Sequence, residues 1–281
     1  MKKFFLFFVL GLLFAPVLAQ GATINGATSE LELQATITVD DDLVLTFVPG
    51  HGMNGADAYV YTDVAGTVEE DSQYLGTWLD DTSSYSASAS TSNGTANGDV
   101  TVITRGFDYT IDADAMIQGL DMGDYGLAMG DAYAWPDWLR VDHAGTATIT
   151  LDYTYTLDTT DTCDNAEAYV YMNAFFADHV GTNRLTTNGN WAVDGGGSNP
   201  DTTVVEYTDS IQASDSVTVT NGSVSWQINI DPNESNEGWF SLWAYGEAGV
   251  EVEPVPIPPA AILLASGLLG LIGIRRFRSR G

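Results

Sequence analysis

The stretch that decides the fold is Thr146-Ala147-Thr148-Ile149-Thr150-Leu151-Asp152-Tyr153-Thr154-Tyr155-Thr156-Leu157. From Thr148 onward every second residue is threonine or aspartate, and the residues between them are large and apolar or aromatic. A period of two places the two sets on opposite faces of an extended strand. The stretch is therefore predicted to be a strand with one face in a core and the other in water.

The same alternation recurs along most of the chain. Further strands are predicted over residues 31–39, 43–48, 58–64, 73–79, 100–104, 107–111, 168–176, 224–230 and 239–245. The dipeptides Asn93-Gly94, Asn97-Gly98 and Asn221-Gly222 are typical of turns between strands. About ten short strands without long amphipathic helices favour antiparallel sheets packed face to face. The prediction is an all-β fold: one antiparallel, jelly-roll-like β-sandwich over residues 20–252.

One hexapeptide nearly recurs along the chain, as Ala56-Asp57-Ala58-Tyr59-Val60-Tyr61 and as Ala166-Glu167-Ala168-Tyr169-Val170-Tyr171. The two copies can mark equivalent strands of a duplicated sandwich. Two alternating strands can also converge on the same pattern by chance, because no other clear self-similarity accompanies the 110-residue spacing. Both interpretations stay open on sequence alone.

Residues 113–143 carry the weakest strand signal, because methionines, leucines and aromatic residues lie among glycines there. We interpret the segment as an aromatic loop. Such a loop either plugs the open end of the core or forms a platform on which sugar rings stack. Trp135 and Trp138 are the candidate glycan platform.

The charge balance excludes one class of partner. All 38 acidic residues lie between Glu30 and Glu253, where only Arg105, Arg140 and Arg184 oppose them, which leaves a formal charge of −35 over that stretch. Binding to nucleic acid needs clustered Lys or Arg and is excluded. Mutual repulsion that keeps an exported domain soluble is one explanation of the acidity, and binding of divalent cations is another.

Calcium is the possible cofactor, because it takes six to eight oxygen ligands from carboxylates and carbonyls. The best candidate metal ligands are the acidic residues of one predicted loop: Asp158, Asp161, Asp164 and Glu167. The loop does not match an EF-hand, and Asp-rich loops also arise from turn chemistry alone. No other cofactor is predicted.

Catalytic chemistry has little support in the sequence. Cys163 is the single cysteine and lies among carboxylates that disfavour a thiolate. The three histidines form no His-Glu-x-x-His pair, no Gly-x-Ser-x-Gly motif occurs, and the exported body has no lysine. The protein is predicted not to be an enzyme.

The amino terminus has the order of a signal peptide over residues 1–19. A basic Met1-Lys2-Lys3 precedes the apolar residues 4–14, and Val17-Leu18-Ala19 supplies small residues for signal peptidase. Cleavage is predicted between Ala19 and Gln20. An uncleaved signal anchor is the alternative.

The carboxyl terminus has the order of a membrane anchor. A proline-rich spacer, 254–259, leads into an uncharged apolar run that ends at Ile274 and is followed by four arginines within 275–281. A helix over about 257–274 would be about 27 Å long, close to the thickness of a bilayer core. The arginines are expected to stay in the cytoplasm. A buried core helix is the alternative.

This tail resembles the PEP-CTERM family of exported bacterial proteins. The residues that carry the resemblance are Glu253, Pro254, Val255, Pro256 and Pro258 before the apolar run, and Arg275 and Arg276 after it. Val252 stands where the family has its first proline. The resemblance implies that a membrane protease, exosortase, processes the chain near residues 253–255. It also implies delivery from the inner membrane to the cell surface or biofilm exopolysaccharide matrix of a Gram-negative bacterium.

Three function classes follow from these observations. A structural or interaction protein of the surface or exopolysaccharide matrix is favoured by the tail and the acidity. A glycan-dependent or calcium-dependent binding module, like an adhesin, is the alternative, and a polysaccharide-acting enzyme comes third.

Overall fold

The computed structural model describes residues 26–40, 42–47, 52–78, 83–104, 108–121, 123–136, 139–159, 166–177, 184–187, 192–194, 202–212, 217–230 and 239–253. These residues form the strands β1 (Ala27–Val39), β2 (Leu45–Phe47), β3 (Gly52–Val64), β4 (Thr67–Trp78), β5 (Tyr85–Ser90), β6 (Gly94–Thr104), β7 (Asp108–Ile117), β8 (Tyr125–Pro136), β9 (Leu139–Val141), β10 (Gly145–Asp158), β11 (Ala166–Ala177), β12 (Arg184–Thr187), β13 (Ala192–Asp194), β14 (Thr202–Gln212), β15 (Thr218–Ile230) and β16 (Trp239–Val252). The prediction of an all-β protein is confirmed.

The strands form two antiparallel sheets. The first sheet has the order β12-β15-β10-β1-β7-β6-β5. The second has the order β13-β14-β11-β16-β8-β3-β4, with β9 paired to β16 and β2 paired to β9. The buried faces of the two sheets share one hydrophobic core.

Strand β10 follows its sequence pattern closely. Ile149, Leu151 and Leu157 are fully buried, whereas Asp152 and Thr154 are exposed. The strand lies inside the first sheet, between β1 and β15. The period of two therefore gave both the strand and its inward face correctly.

The core is thin on one side of the sandwich, because the facing positions there carry mostly alanine and glycine. The buried alanines of β3, β5, β6, β7 and β8 are Ala56, Ala58, Ala87, Ala89, Ala96, Ala113, Ala115, Ala128, Ala132 and Ala134. A Cβ built on Gly98 of β6 would lie 2.0 Å from the carbonyl oxygen of Asp131 in β8. The two backbones thus approach much more closely than the usual sheet separation of about 10 Å.

That close approach corrects two turn predictions. Asn93-Gly94 does form the β5–β6 turn, where the Thr91 amide donates to the Gly94 carbonyl at 2.9 Å. Asn97-Gly98 instead lies inside β6, because only glycine fits against β8. Asn221-Gly222 lies inside β15, where the ring of Tyr153 covers Gly222.

The interpretation of residues 113–143 as an aromatic loop is wrong. Strand β7 continues to Ile117, and β8 (Tyr125–Pro136) runs between β3 and β16 in the second sheet. The inward positions of β8 carry alanine or glycine, which is why its sequence lacks the strong apolar alternation of β10.

The sandwich consists of two similar halves related by an approximate twofold axis. The axis passes between β1 and β10 in the first sheet and between β8 and β16 in the second. Outward from these pairs, β7 flanks β1 as β15 flanks β10, and β3 and β4 follow β8 as β11 and β14 follow β16. The chain order β1, β3, β4, β7, β8 is thereby repeated as β10, β11, β14, β15, β16. Both sheets continue across the axis, so the described residues form one sandwich.

The repeated hexapeptide occupies equivalent strands in the two halves. Asp57 of β3 pairs with Asp131 of β8, and Glu167 of β11 pairs with Glu251 of β16. With these pairs matched, the segment Tyr125-Gly126-Leu127-Ala128-Met129-Gly130-Asp131 aligns with Tyr245-Gly246-Glu247-Ala248-Gly249-Val250-Glu251. Of the two interpretations left open by the sequence, the structure favours the duplicated arrangement.

Polar side chains of β4 join the free edges of the two sheets. On β4, the side-chain oxygens of Gln73 and Asp71 accept hydrogen bonds from the amides of Ser88 (2.7 Å) and Ser90 (2.9 Å). Glu69 accepts from the amide of Ser92 at 2.8 Å. An unpaired strand edge is a template for aggregation. These three side chains cover the edge of β5.

The terminal segments are not part of this description. The signal peptide predicted over 1–19, with Ala19 and Gln20 at its cleavage site, lies outside the described residues, as does the helix predicted over 257–274. Among the residues that are described, no helix is long and apolar enough to cross a membrane.

Candidate functional site: a tyrosine face

Tyrosines cover the outer surface of the second sheet because of the alternation in its strands. In β3, Ala58 and Val60 point into the core, so Tyr59 and Tyr61 point outward. The neighbouring strands add tyrosines on the same side. We call the set on the first half, Tyr59, Tyr61, Tyr74, Tyr125 and Tyr133, the tyrosine face.

Two of these rings are locked together. The phenol oxygens of Tyr74 and Tyr133 are 2.9 Å apart and share a hydrogen bond. Tyr133 is 6% exposed and lies flat over Gly55, where an added Cβ would be 2.3 Å from its hydroxyl oxygen. Tyr74 is 56% exposed. A buried tyrosine thus holds an exposed one in place.

Two open cavities lie side by side on the face, with Tyr59 in the wall of both. The larger is about 440 Å³ and is lined by Tyr59, Tyr61, Asp63, Tyr125 and Leu127. The smaller is about 290 Å³ and is lined by Asp57, Ala58, Tyr59, Ser72, Gln73, Tyr74, Met129 and Asp131. Together they form a shallow groove with aromatic walls and carboxylates at intervals.

A row of carboxylates crosses three adjacent strands beside the groove. Asp57 of β3 pairs with Asp131 of β8, which pairs with Glu247 of β16. Burial, together with the charges of Asp57 and Glu247, raises the pKa of Asp131 to about 7, although a hydrogen bond from Tyr245 opposes the rise. Burial also raises the pKa of Asp57.

The arginines of the described residues stand on strand positions away from this row, and Arg105 lies outside those residues. Between Glu30 and Glu253 the chain has only Arg105, Arg140 and Arg184. Arg140 pairs with Trp239, eight residues along β16 from Glu247, which is about 26 Å in an extended strand. Arg184 lies in β12 of the other sheet.

A tyrosine ring closes the equivalent place in the second half. Tyr169, the counterpart of Tyr59, lies across Gly249, where an added Cβ would be 2.1 Å from its ring. Its hydroxyl donates to Glu247 at 3.1 Å. In the first half Met129 stands in place of Gly249, so Tyr59 cannot fold down in the same way and a cavity remains beside it.

Only two of the four candidate metal ligands lie in the described part of the chain. Asp158 ends β10 in the first sheet, and Glu167 lies in β11 of the second. Asp161 and Asp164 lie outside the described residues. Among the residues that are described, no three His, Cys, Asp or Glu side chains are placed to hold a metal ion.

The other candidate residues fall at or beyond the limits of the structure. Trp135 belongs to strand β8, whereas Trp138 lies outside the described residues. Glu253 is the last residue described, and the rest of the sorting segment lies beyond it.

Sequence reasoning missed the tyrosine face, although a signal for it was present. Each hexapeptide ends in Ala-Tyr-Val-Tyr, so small residues face inward and both tyrosines face outward. On a half-buried strand, large aromatic residues at the outward positions indicate a surface that contacts something other than water.

Comparisons with protein-family models, curated proteins and solved structures find no match to this chain.

Proposed function

We propose that this chain is an exported surface protein that holds polysaccharide on its tyrosine face. The observation that carries the proposal is the groove around Tyr59, whose lining combines tyrosine rings with the carboxylates of Asp57, Asp63 and Asp131. Sugar rings present C–H bonds on their faces and hydroxyl groups at their edges. Aromatic rings pack against the C–H faces, and carboxylates accept hydrogen bonds from the hydroxyl groups.

The shape of the groove suits a polymer. Tyr61 and Tyr74 lie on opposite sides of Tyr59, so the two cavities give adjoining places for successive sugar units. Because the tyrosines stand on strands and not on loops, their positions are fixed before binding. Fixed aromatic contacts lose little conformational entropy on binding.

The sorting segment supports a location where polysaccharide is present. A cleaved signal over 1–19, a transmembrane helix over about 257–274 and the arginines at 275 and 276 would tether the sandwich outside the inner membrane. Processing by exosortase near residues 253–255 would then release it to the surface or matrix. The last described strand, β16, ends at Val252, directly before this segment.

Affinity electrophoresis tests the proposal. The purified full-length chain is run through gels that contain a neutral β-glucan, chitosan or alginate. We expect retardation by at least one of these polymers. Retardation should be lost in the variant that combines Tyr59→Ala with Tyr74→Ala and kept in Tyr171→Ala, whose position in the second half is equivalent to that of Tyr61. Each variant is first checked for an unchanged melting temperature. No retardation of the wild type, or equal retardation of all variants, would contradict the proposal.

A further inference from the structure

We propose that the smaller cavity, between Tyr59 and Tyr74, receives a positively charged amino group, so that the polysaccharide bound is one with free amino sugars. The inference rests on the proposed function and names its substrate class. The observation behind it is that one cavity has both tyrosine rings and two carboxylates in its lining. Neutral glucans and uronic acid polymers fit that combination less well.

The walls of the cavity suit a cation. Tyr59 and Tyr74 stand on adjacent strands, and Met129 lines the same cavity from β8. The face of a phenol ring attracts an ammonium group within about 6 Å of its centroid. The cavity of about 290 Å³ lies at the lower end of the size range of small-molecule sites, which fits a single sugar unit of a chain.

The charge of the cavity also calls for a cation. Asp57 and Asp131, which both line it, stand directly opposite each other on paired strands. Like charges in that position destabilise a sheet. The nearest arginine along the paired strands of the described structure, Arg140, is about 26 Å from this row along β16. An ammonium group placed between the rings would lie against both carboxylates and relieve their repulsion.

The same charges select against other sugars. A uronic acid would add a carboxylate to a cavity that already holds two. An N-acetylated amino sugar has no charge, so it would gain the ring contacts and neutral hydrogen bonds but no attraction between opposite charges. At the equivalent place in the second half, Tyr169 covers Gly249, so the described residues leave no matching cavity there.

Isothermal titration calorimetry at pH 7.5 with the full-length chain tests the inference. The probes are three hexasaccharides of glucosamine, N-acetylglucosamine and galacturonic acid, together with a lysine hexamer. We expect the glucosamine hexamer to bind at least tenfold more tightly than the N-acetylated one, and the galacturonic acid hexamer not to bind. The lysine hexamer should bind far more weakly than the glucosamine hexamer, because it lacks sugar faces to stack on the rings.

One pair of matched variants isolates the charge. Asp57→Asn should weaken binding of the glucosamine hexamer about tenfold and leave binding of the N-acetylated hexamer unchanged. Glu167→Gln, at the equivalent position of the second half, should change neither. Equal or tighter binding of the N-acetylated hexamer, or equal binding of the lysine hexamer, would overturn this inference but leave the proposed function standing. Failure of every saccharide to bind would overturn both.

Discussion

Tyr125 and Tyr245 occupy equivalent positions on the two sides of the approximate twofold axis and make equivalent ring contacts. The ring of Tyr125 packs against Tyr61 with centroids 5.7 Å apart and an interplanar angle of 61°. The ring of Tyr245 packs against Tyr171 at 5.9 Å and 60°. The phenols differ in their hydrogen bonds: Tyr125 donates to Glu251 across the axis at 3.3 Å, whereas Tyr245 donates to Glu247 on its own strand at 2.6 Å. The duplication thus extends from strand order to individual side-chain contacts.

The two halves differ where the candidate site lies. Met129 borders an open cavity beside Tyr59, whereas the equivalent Gly249 lies under the ring of Tyr169. Four residues of the site, Asp57, Tyr59, Tyr61 and Asp131, nevertheless have counterparts of similar chemistry in the second half, at Glu167, Tyr169, Tyr171 and Glu251. These counterparts serve as controls in the experiments below.

The thin side of the core predicts a strict requirement for glycine at position 98. In Gly98→Ala the new Cβ would lie 2.0 Å from the Asp131 carbonyl oxygen and 2.6 Å from that of Asp57. Overpacking of this kind against backbone should lower the free energy of unfolding by about 3 kcal/mol. The melting temperature should fall by roughly 6 °C or more. Gly26→Ala, where no atom lies within 4 Å of the new Cβ, should change it little. Equal melting temperatures for both variants would contradict the close approach of the sheets.

The contacts between the sheet edges predict a local effect at Ser90. Asp71→Ala removes the acceptor of the Ser90 amide and leaves that part of the β5 edge unpaired. Amide exchange at Ser90, measured by NMR, should accelerate at least tenfold, and the protein should aggregate more readily. Glu70→Ala, whose side chain points to the opposite face of β4, should leave exchange at Ser90 unchanged. Unchanged exchange in Asp71→Ala would mean that the edge is protected in another way.

The pKa of Asp131 predicts how stability depends on pH. Its value rises from 3.8 to about 7 on folding, so the native state binds this proton more tightly than the unfolded chain does. The free energy of unfolding should therefore fall as pH rises from about 4 to about 7. Burial and neighbouring carboxylates also raise the pKa of Asp112 and Asp114, which acts in the same direction.

The variant Asp131→Asn isolates this contribution. It should raise the free energy of unfolding at pH 8 by at least about 1 kcal/mol, since one pK unit corresponds to about 1.4 kcal/mol. At pH 5 it should have little effect. Asp152→Asn, on the exposed face of the other sheet, is the control and should change neither value. Thermal melts of the wild type and both variants at the two pH values measure these differences in stability. A stability gain that is the same at both would argue against a raised pKa.

The sorting segment predicts that the tail acts independently of the sandwich. Residues 253–281, grafted onto an exported reporter, should give a membrane-bound form and, in a host with exosortase, a shorter released form. Immunoblots of membrane and culture fractions distinguish the two. If the reporter keeps its full length in that host, the claim of processing by exosortase is wrong. If the reporter never associates with the membrane, the claim of a membrane anchor is wrong as well.

The sequence predicted strands where one face had to be apolar and large. Strand β10 is the clearest case, because its inward leucines, isoleucine and tyrosines alternate with threonines. The prediction for strand β8 is wrong for the opposite reason. Its inward alanines and glycines match a thin core, and small residues give no alternation of hydrophobicity. Gly98 and Gly222 were mistaken for turn residues because a glycine chosen for close packing has the same sequence signature.

Only part of the candidate site can be predicted from the sequence. The repeated hexapeptide marked the right strands, but the partners of Tyr59 come from β4 and β8, which only the register of the sheet brings beside it. Tyr74 of β4 is one example, since it pairs with Asp57 of β3 and shares a hydrogen bond with Tyr133 of β8. The row formed by Asp57, Asp131 and Glu247 is not evident from the sequence. These three residues are far apart along the chain, and nothing distinguishes them from the many other acidic residues.

Hydroxyl-radical footprinting read by mass spectrometry tests the central claim most directly. The full-length chain is labelled alone and with saturating hexasaccharide, using the glucosamine and N-acetylglucosamine hexamers in parallel. If the tyrosine face binds sugar, at least one hexamer should protect Tyr59, Tyr74 and Met129 from oxidation and leave Tyr171 in the second half as reactive as before. Protection at Tyr171 with none at Tyr59, or no protection by either hexamer, would contradict the account.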